Sequence, residues 1–249
     1  MSNEDHKIAA ELAAEAGVGL MALRARSAGG KALGEAGDRF SDQLLTGRLH
    51  QVFPADRIRS EESDHEEALA TSDGRVWIID PLDGTREYGE GRGDWAVHVA
   101  LSVDGVAGVG AVALPALEVV LGTVDPPPMA AAASRPRIVV SRSRPPAFVS
   151  RVAEQLGALV VPMGSAGAKI AAVIRGEAEI YLHAGGQYEW DSAAPVAVAM
   201  ATGLHATRLD GSPLRYSQPD PWLPDLMVCH PTLVDRVTDA VAASGALHS

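Results

Sequence analysis

The chain has 249 residues, of which 47% are apolar and 21% charged, and this composition is that of an ordinary soluble globular protein with ample length for a core. Its formal net charge of −11 argues against nucleic-acid binding, which needs a basic face. The single cysteine, Cys229, excludes a disulfide framework or a zinc–cysteine cluster within one chain.

Neither a secretion signal nor a membrane span is predicted. The N-terminus, from Met1 to Lys7, is polar, and no apolar segment of the kind found in signal peptides follows it. No apolar run approaches the roughly 20 residues that a membrane-spanning helix needs. We therefore expect a cytoplasmic protein without a membrane partner.

Two helices are predicted at the start of the chain. Apolar residues spaced by three and four predict a helix over residues 5–26, which ends at Gly29 and Gly30. Residues 34–38 (GEAGD) are predicted as a turn, and the second helix begins at Asp38. From composition alone, Asp38 is best interpreted as the N-terminal cap of that helix.

A buried strand that ends in acidic residues follows. The run from Val76 to Ile79 is apolar, Asp80 comes directly after it, and Pro81 is predicted to stop the strand pairing. Asp83 lies three residues beyond Asp80. Two carboxylates so placed can reach one cation, and without a cation they repel each other.

The segments on either side of this strand carry weaker signals. Residues 63–73, with a His-Glu-Glu trio at 65–67, are predicted to form an acidic, solvated loop, since the trio lacks the second His of a zinc-protease motif. Residues 95–103 and 106–114 predict a hairpin around Asp104-Gly105, and residues 117–124 a further strand.

A linker is predicted at the Pro- and Ala-rich segment 126–133, so we divide the chain into subdomains 1–133 and 134–249. Beyond it, strands and helices alternate, which predicts α/β layering after an α+β first half. The predicted strands are 138–140, 159–163, 179–183 and 226–229, and the predicted helices are 145–156, 165–175, 191–202 and 231–243.

Three short motifs together resemble the inositol monophosphatase-like superfamily of magnesium-dependent, lithium-sensitive phosphatases. They are Ser60-Glu61-Glu62, residues 77–85 (WIIDPLDGT) and residues 190–195 (WDSAAP). The resemblance covers nearly the whole chain. It implies the layered αβαβα sandwich shared by inositol monophosphatase and fructose-1,6-bisphosphatase, with the site between the two halves.

The resemblance also implies the metal ligands and cofactors. The implied ligands are Glu61, Asp80, the carbonyl of Leu82, Asp83 and Asp191. All are hard oxygen donors, which suit Mg²⁺ or Mn²⁺ better than Zn²⁺. Two or three Mg²⁺ ions are implied, with Mn²⁺ as a substitute, and so is a homodimer.

Catalysis in the family uses a metal-activated water. The residues implied to act on it are Asp38, Thr85 and Glu61, with Asp38 and Thr85 positioning and deprotonating the water. The family usually shows V-T-x-x-D before the second helix, whereas this chain has GEAGD at 34–38. That difference leaves open which hydrogen bonds surround Asp38 and whether a third ion binds.

Substrate contacts are implied in two places. Backbone N–H groups of Gly84 and Thr85 suit a bound anion. A second set of residues resembles the stretches that hold the remote phosphate and the nucleoside in bisphosphate nucleotidases, and the alternative is an ordinary surface Arg cluster and a helix N-cap. These residues are Arg142, Arg144, Ser165 and Lys169, with Tyr188 and Glu189 flanking the substrate's ring.

Residues 83–88 (DGTREY) narrow the resemblance to the bisphosphate nucleotidases of sulfur assimilation, close to their actinobacterial members. The implied reaction removes the 3′-phosphate of 3′-phosphoadenosine 5′-phosphate, giving AMP, and extends to the 5′-phosphosulfate. The partner is then a small phosphate ester. The alternatives are an inositol 1-phosphate or fructose 1,6-bisphosphate phosphatase and, more remotely, a phosphate-binding protein without turnover.

Overall fold

Two five-stranded sheets with helices against both of their faces make up the framework of the chain. The computed structural model describes residues 1–63 and 74–248. The predicted acidic loop lies almost entirely outside the described residues. No helix in the described ranges is long and apolar enough to cross a membrane.

The elements are numbered in chain order. The helices are α1 (Asn3–Ala25), α2 (Lys31–Val52), α3 (Thr85–Gly89), α4 (Val149–Leu156), α5 (Ala166–Ile174), α6 (Glu189–Thr202) and α7 (Val234–Ala243). The strands are β1 (Arg57–Ser60), β2 (Arg75–Asp83), β3 (Ala96–Val103), β4 (Val106–Leu114), β5 (Val119–Gly122), β6 (Arg137–Ser141), β7 (Leu159–Met163), β8 (Ile180–Tyr188), β9 (His205–Thr207) and β10 (Trp222–Cys229).

The first sheet has the strand order β1-β2-β3-β4-β5, with β1 parallel to β2 and the other pairs antiparallel. The predicted hairpin joins β3 to β4. Its two central residues, Asp104 and Gly105, have φ angles of 51° and 79°, as a tight hairpin turn of this type requires. The second sheet has the order β7-β6-β8-β10-β9, and its β7-β6-β8 part is parallel.

Alternation along the strands divides the side chains among three apolar clusters. Trp77 and Ile79 of β2 face α1 and α2, whereas Ile78 faces α5 and α6. In the second sheet, Val139 also faces α5 and α6, and Ile138 faces α4 and α7. The layers are therefore helix, sheet, helix, sheet, helix, which confirms the predicted αβαβα architecture.

The prediction of a turn at residues 34–38 is wrong, because this segment lies within α2. The glycines serve close packing. A Cβ at Gly34 would lie 2.8 Å from the Thr85 methyl group, and one at Gly37 would lie 2.9 Å from a Leu82 methyl group. Asp38 is accordingly an interior helical residue, and Gly30 is the residue that precedes the first turn.

Several boundaries differ from the predictions. Strand β8 continues five residues past His183 to Tyr188, and β10 begins earlier, at Trp222, because the two strands pair with each other in this region. The short strand β9 was not predicted. The segment 126–133 has no regular secondary structure, as predicted. The division into two subdomains at residue 133 stays a prediction.

Candidate active site

The acidic end of β2 positions the first two carboxylates. The strand runs on to Asp83, with an irregular register between Asp80, which pairs with His98, and Asp83, which pairs with Ala96. Pro81 thus produces a local bulge, and the prediction that it stops the pairing is wrong. The Leu82 N–H donates a hydrogen bond to Asp80 Oδ1 at 3.1 Å, which fixes the bulge.

Three carboxylates meet at this point. One oxygen each of Asp80, Asp83 and Asp191 lies within 4.8 Å of the others. Asp191 belongs to the first turn of α6, where its Oδ2 accepts a hydrogen bond of 2.7 Å from the Tyr188 N–H. Burial and the Glu61 charge raise the pKa of Asp80 well above its ordinary value, and burial and the Asp83 charge raise that of Asp191 to about 6.

Glu61 joins the group from the end of β1. Its N–H donates to the Ile79 carbonyl at 3.4 Å, and its side chain lines the same cleft as Asp83 and Asp191. Burial and the Asp191 charge raise its pKa to about 7. The buried carbonyl of Leu82 accepts a hydrogen bond of 3.1 Å from the Thr85 hydroxyl.

These residues fit a divalent cation. The donors are carboxylate oxygens, and buried acids this close to one another are costly without a balancing charge, as their raised pKa values show. No His or Cys belongs to the three-carboxylate group among the described residues. Such an all-oxygen site suits Mg²⁺ or Mn²⁺ and not the softer ligand sets of Zn²⁺.

Asp83 is held more firmly than the other acids. Its carboxylate accepts hydrogen bonds from the N–H groups of Ala166 and Gly167 at the start of α5, and His98 Nε2 lies 3.3 Å from its Oδ2. Burial favours the protonated acid, but the His98 and backbone contacts outweigh it, so the pKa of Asp83 lies below its ordinary value. Sequence reasoning missed His98, because it belongs to no motif and its neighbours in β3, Val97 and Val99, are apolar.

Asp38 and Thr85 come together as predicted. The Thr85 hydroxyl lies 3.2 Å from Asp38 Oδ1 and shares its proton between this oxygen and the Leu82 carbonyl. Close packing of α2 through Gly34 and Gly37 brings Asp38 to this position. Burial and the nearby Glu62 charge raise the pKa of Asp38 to about 7.

A cleft of about 450 Å³ extends from these acids toward the ends of β6 and β8. Of the predicted substrate contacts, Arg144, Ser165 and Lys169 line it. The Ser165 hydroxyl caps α5 by accepting from the Ala168 N–H at 2.9 Å. Gly84, in a left-handed conformation with φ of 92°, precedes the short helix that Thr85 begins.

Two predicted cations are already engaged with the protein. The Arg142 guanidinium pairs with Asp94, which also accepts a hydrogen bond of 2.7 Å from the Gly164 N–H. Lys169 Nζ donates to the carbonyls of Gly164 and Ser165, the latter at 2.7 Å, and burial lowers its pKa to about 8. Both residues therefore brace the loop before α5.

Arg144 differs from these two. It lines the cleft, and its side chain makes no hydrogen bond or ion pair with another residue in the described ranges. Tyr188 also lines the cleft; it is 43% exposed and stacks on Trp190 with ring centroids 4.8 Å apart. The cleft thus has an acidic end, an available guanidinium and an aromatic surface.

The prediction that Glu189 contacts substrate is not supported by its position. Its side chain is fully buried, is not part of the cleft wall, and forms an ion pair of 2.6 Å with Arg59, whose side chain is 5% exposed. It also accepts a hydrogen bond of 2.7 Å from the Gln218 N–H. Because Glu189 precedes Asp191 by two residues, it faces the opposite side of the first turn of α6, toward the interior.

The family model for the inositol monophosphatase family matches residues 3–242. The chain belongs to the inositol monophosphatase family. Its fold agrees, since it superposes on inositol monophosphatase II from Staphylococcus aureus with a TM-score of 0.84, at 20% identity over 100% of both chains.

Closer relatives within the family are found by sequence. The chain is 53% identical to a 3′-phosphoadenosine 5′-phosphate phosphatase of Mycobacterium bovis, over 84% of this chain and 83% of that protein. It is 46% identical to a protein of the same name from Mycobacterium leprae, over 90% of this chain and 89% of that protein. The predicted resemblance is confirmed.

Proposed function

We propose that the chain is a phosphomonoesterase that removes the 3′-phosphate of 3′-phosphoadenosine 5′-phosphate, giving AMP and phosphate, and that it acts in the same way on the 5′-phosphosulfate. The mycobacterial relatives, at 46% and 53% identity, carry the name of this activity. The observation that carries the proposal is that one cleft joins the acidic cluster to an available arginine and an exposed aromatic ring.

The substrate's chemistry matches this cleft. A molecule with two phosphates needs a cation site for the group that is cleaved and a separate positive or N–H partner for the group that stays. Arg144 is the available partner for the second phosphate, and a guanidinium suits phosphate geometry. Tyr188 offers a flat surface on which a nucleobase can stack.

The acidic cluster would hold the cofactor. Glu61, Asp80, the Leu82 carbonyl, Asp83 and Asp191 are the proposed ligands. When bound, Mg²⁺ supplies the positive charge that activates water and stabilises the departing oxygen. We propose two or three ions, with Mn²⁺ as a substitute, on the basis of family membership.

Asp38 and Thr85 act on the attacking water in this proposal. The Thr85 hydroxyl is oriented by Asp38 and by the Leu82 carbonyl, so its position is fixed before substrate arrives. The carboxylate of Asp38 is the acceptor for the proton that leaves the water through this hydroxyl. Glu61 completes the proposed catalytic set from the end of β1.

Three further parts of the proposal rest on family membership or composition. The backbone N–H groups of Gly84 and Thr85 hold the phosphate that is cleaved. The protein works in the cytoplasm, and it forms a homodimer. Its net charge of −11 argues against a nucleic acid as partner, and the proposed partner, a small anionic phosphate ester, needs metal ions to invert the local charge.

A substrate panel with Mg²⁺ tests the function. We expect kcat/KM for 3′-phosphoadenosine 5′-phosphate to exceed that for inositol 1-phosphate and fructose 1,6-bisphosphate. Arg144→Ala should reduce kcat/KM for the nucleotide about 10- to 100-fold, because a hydrogen bond to a charged group contributes about 1.5–3 kcal/mol, and should leave inositol 1-phosphate nearly unchanged.

Arg236→Ala is the matched control, because Arg236 is an exposed arginine on α7 that does not line the cleft. This substitution removes the same charge and should change kcat/KM for neither substrate. A preference of the unmodified enzyme for inositol 1-phosphate would replace the nucleotidase proposal by its first alternative. Phosphate binding without release from any ester would support a binding protein instead.

A further inference from the structure

His98 lies at the junction of the two segments that carry acidic ligands, yet no motif includes it. The residue is fully buried in β3. Its Nδ1 donates a hydrogen bond of 2.9 Å to the carbonyl of Trp190, the residue before Asp191. Its Nε2 lies 3.3 Å from Oδ2 of Asp83, which is within ion-pair distance, but it makes no hydrogen bond within the described part of the chain. One ring therefore connects β2 of the first sheet to the start of α6.

Packing around the imidazole is too tight to be incidental. Neighbouring positions of β3 are apolar, and a polar ring in such a core is costly unless its nitrogens are paired. A Cβ at Gly167 would lie only 1.9 Å from His98 Nε2 and 2.9 Å from Asp83 Oδ2. The ring occupies the space that Gly167 leaves open, so the packing of α5 against β3 also depends on the ring.

Both of its contacts act on the acidic cluster. Asp83 accepts hydrogen bonds from the N–H groups of Ala166 and Gly167, and His98 Nε2 lies beside the same oxygen, Oδ2, that accepts from Gly167, so the ring restricts the rotation of this carboxylate. The carbonyl of Trp190 belongs to the first turn of α6, and the next residue is Asp191. Fixing this carbonyl relative to Asp83 therefore fixes the spacing of two of the three grouped carboxylates.

We propose that His98 is a positioning residue that sets the distance between Asp83 and Asp191, so that the acidic cluster is formed before a cation enters. The proposal rests on the metal site described above. Groups that orient metal ligands typically contribute about 10- to 100-fold to metal affinity or activity. His98 would do so without touching substrate or cation.

Metal binding to the substrate-free protein gives a direct test. We expect His98→Ala to weaken Mn²⁺ binding, measured by titration calorimetry, about 10- to 100-fold. His98→Asn places an amide near the position of Nδ1 and retains the Trp190 contact, whereas His98→Gln reaches the position of Nε2 and retains the Asp83 contact. Each of these variants should recover part of the affinity.

Ser102→Ala is the matched control, because Ser102 is also a fully buried polar residue of β3, but its hydroxyl has no hydrogen-bond partner among the residues that the structure describes. Thermal unfolding in chelator is measured for every variant. A purely structural role would lower the melting temperature of the His98 variants and leave the Mn²⁺ affinity of the folded protein unchanged, and that result would overturn the proposal.

Further outcomes are also decisive. If His98→Ala does not fold, the Asn and Gln variants provide the comparison, and unchanged Mn²⁺ affinity in both would overturn the proposal. Equal losses of Mn²⁺ affinity in Ser102→Ala and in the His98 variants would show a general effect of substitutions in β3 and would overturn the specific role of His98. Failure of the unmodified protein to bind Mn²⁺ or Mg²⁺ would remove the metal site, and this proposal with it. Metal binding with activity on another ester would leave His98's role intact and change only the proposed substrate.

Discussion

Replacing Glu189 with Gln is expected to destabilise the protein by about 3–5 kcal/mol, since the change removes one partner of a buried ion pair. The Arg59–Glu189 contact is 2.6 Å long, and the two side chains are 5% and 0% exposed, so water cannot replace the lost carboxylate. Gln keeps the volume of Glu and can still accept from the Gln218 N–H. The loss therefore measures the charge and not the packing.

Thermal unfolding followed by circular dichroism in chelator measures this loss without a contribution from bound metal. For a chain of this length, about 3–5 kcal/mol corresponds to a fall in melting temperature of roughly 6–20 °C. Glu11→Gln is the matched control, because Glu11 is exposed on α1, and it should change stability by less than about 0.5 kcal/mol.

The double variant Arg59→Met with Glu189→Gln should recover part of the stability, because the buried guanidinium that Glu189 helps to balance is then absent. Well below its melting temperature, Glu189→Gln should lower kcat/KM for 3′-phosphoadenosine 5′-phosphate and inositol 1-phosphate by the same factor. A destabilisation below about 1 kcal/mol would refute the energetic reasoning. A selective loss with the nucleotide would instead restore Glu189 as a substrate contact.

Three further outcomes test the proposed chemistry. Chelation should abolish activity, and full turnover by metal-free enzyme would contradict the proposed metal site. Asp191→Asn should lower activity at least about 100-fold, because mutating even a residue that only orients a metal ligand typically lowers metal affinity or activity about 10- to 100-fold. Lithium should inhibit more strongly than potassium at equal ionic strength, and equal inhibition by both salts would indicate charge screening. Thr85→Ala should lower kcat by a factor of about 10² to 10⁴ with metal affinity retained. A fall in metal affinity with kcat unchanged would instead show that Thr85 is a ligand.

Local signals explain why most of the fold was predictable. The hairpin at Asp104-Gly105 is determined by φ angles that few residue pairs tolerate, and the helix stop at Gly203 by a left-handed conformation. The three family motifs are short and contiguous, so Asp80, Asp83 and Asp191 could be identified before their proximity was known.

Other features depend on contacts between distant segments, which a single sequence does not display. Gly34 and Gly37 resemble turn residues, but their role is to let α2 approach Thr85 and Leu82. His98 belongs to no motif, and Glu189 was predicted to contact the substrate. Their partners, Trp190 and Arg59, lie far away in the chain, so only the packed structure shows what they bind.

The middle helix layer has a consequence for the order in which the nascent chain can fold. All nine residues of α5 are buried, and α6 covers the same face of the first sheet, where Ile78 and Val112 lie. A ribosome adding about 5–20 residues per second completes β4 several seconds before α6 emerges. During that time α1 and α2 can protect one face of the sheet while the other stays exposed. We therefore expect chaperones that bind exposed apolar strands to engage this chain during its synthesis, and to release it once α6 is complete.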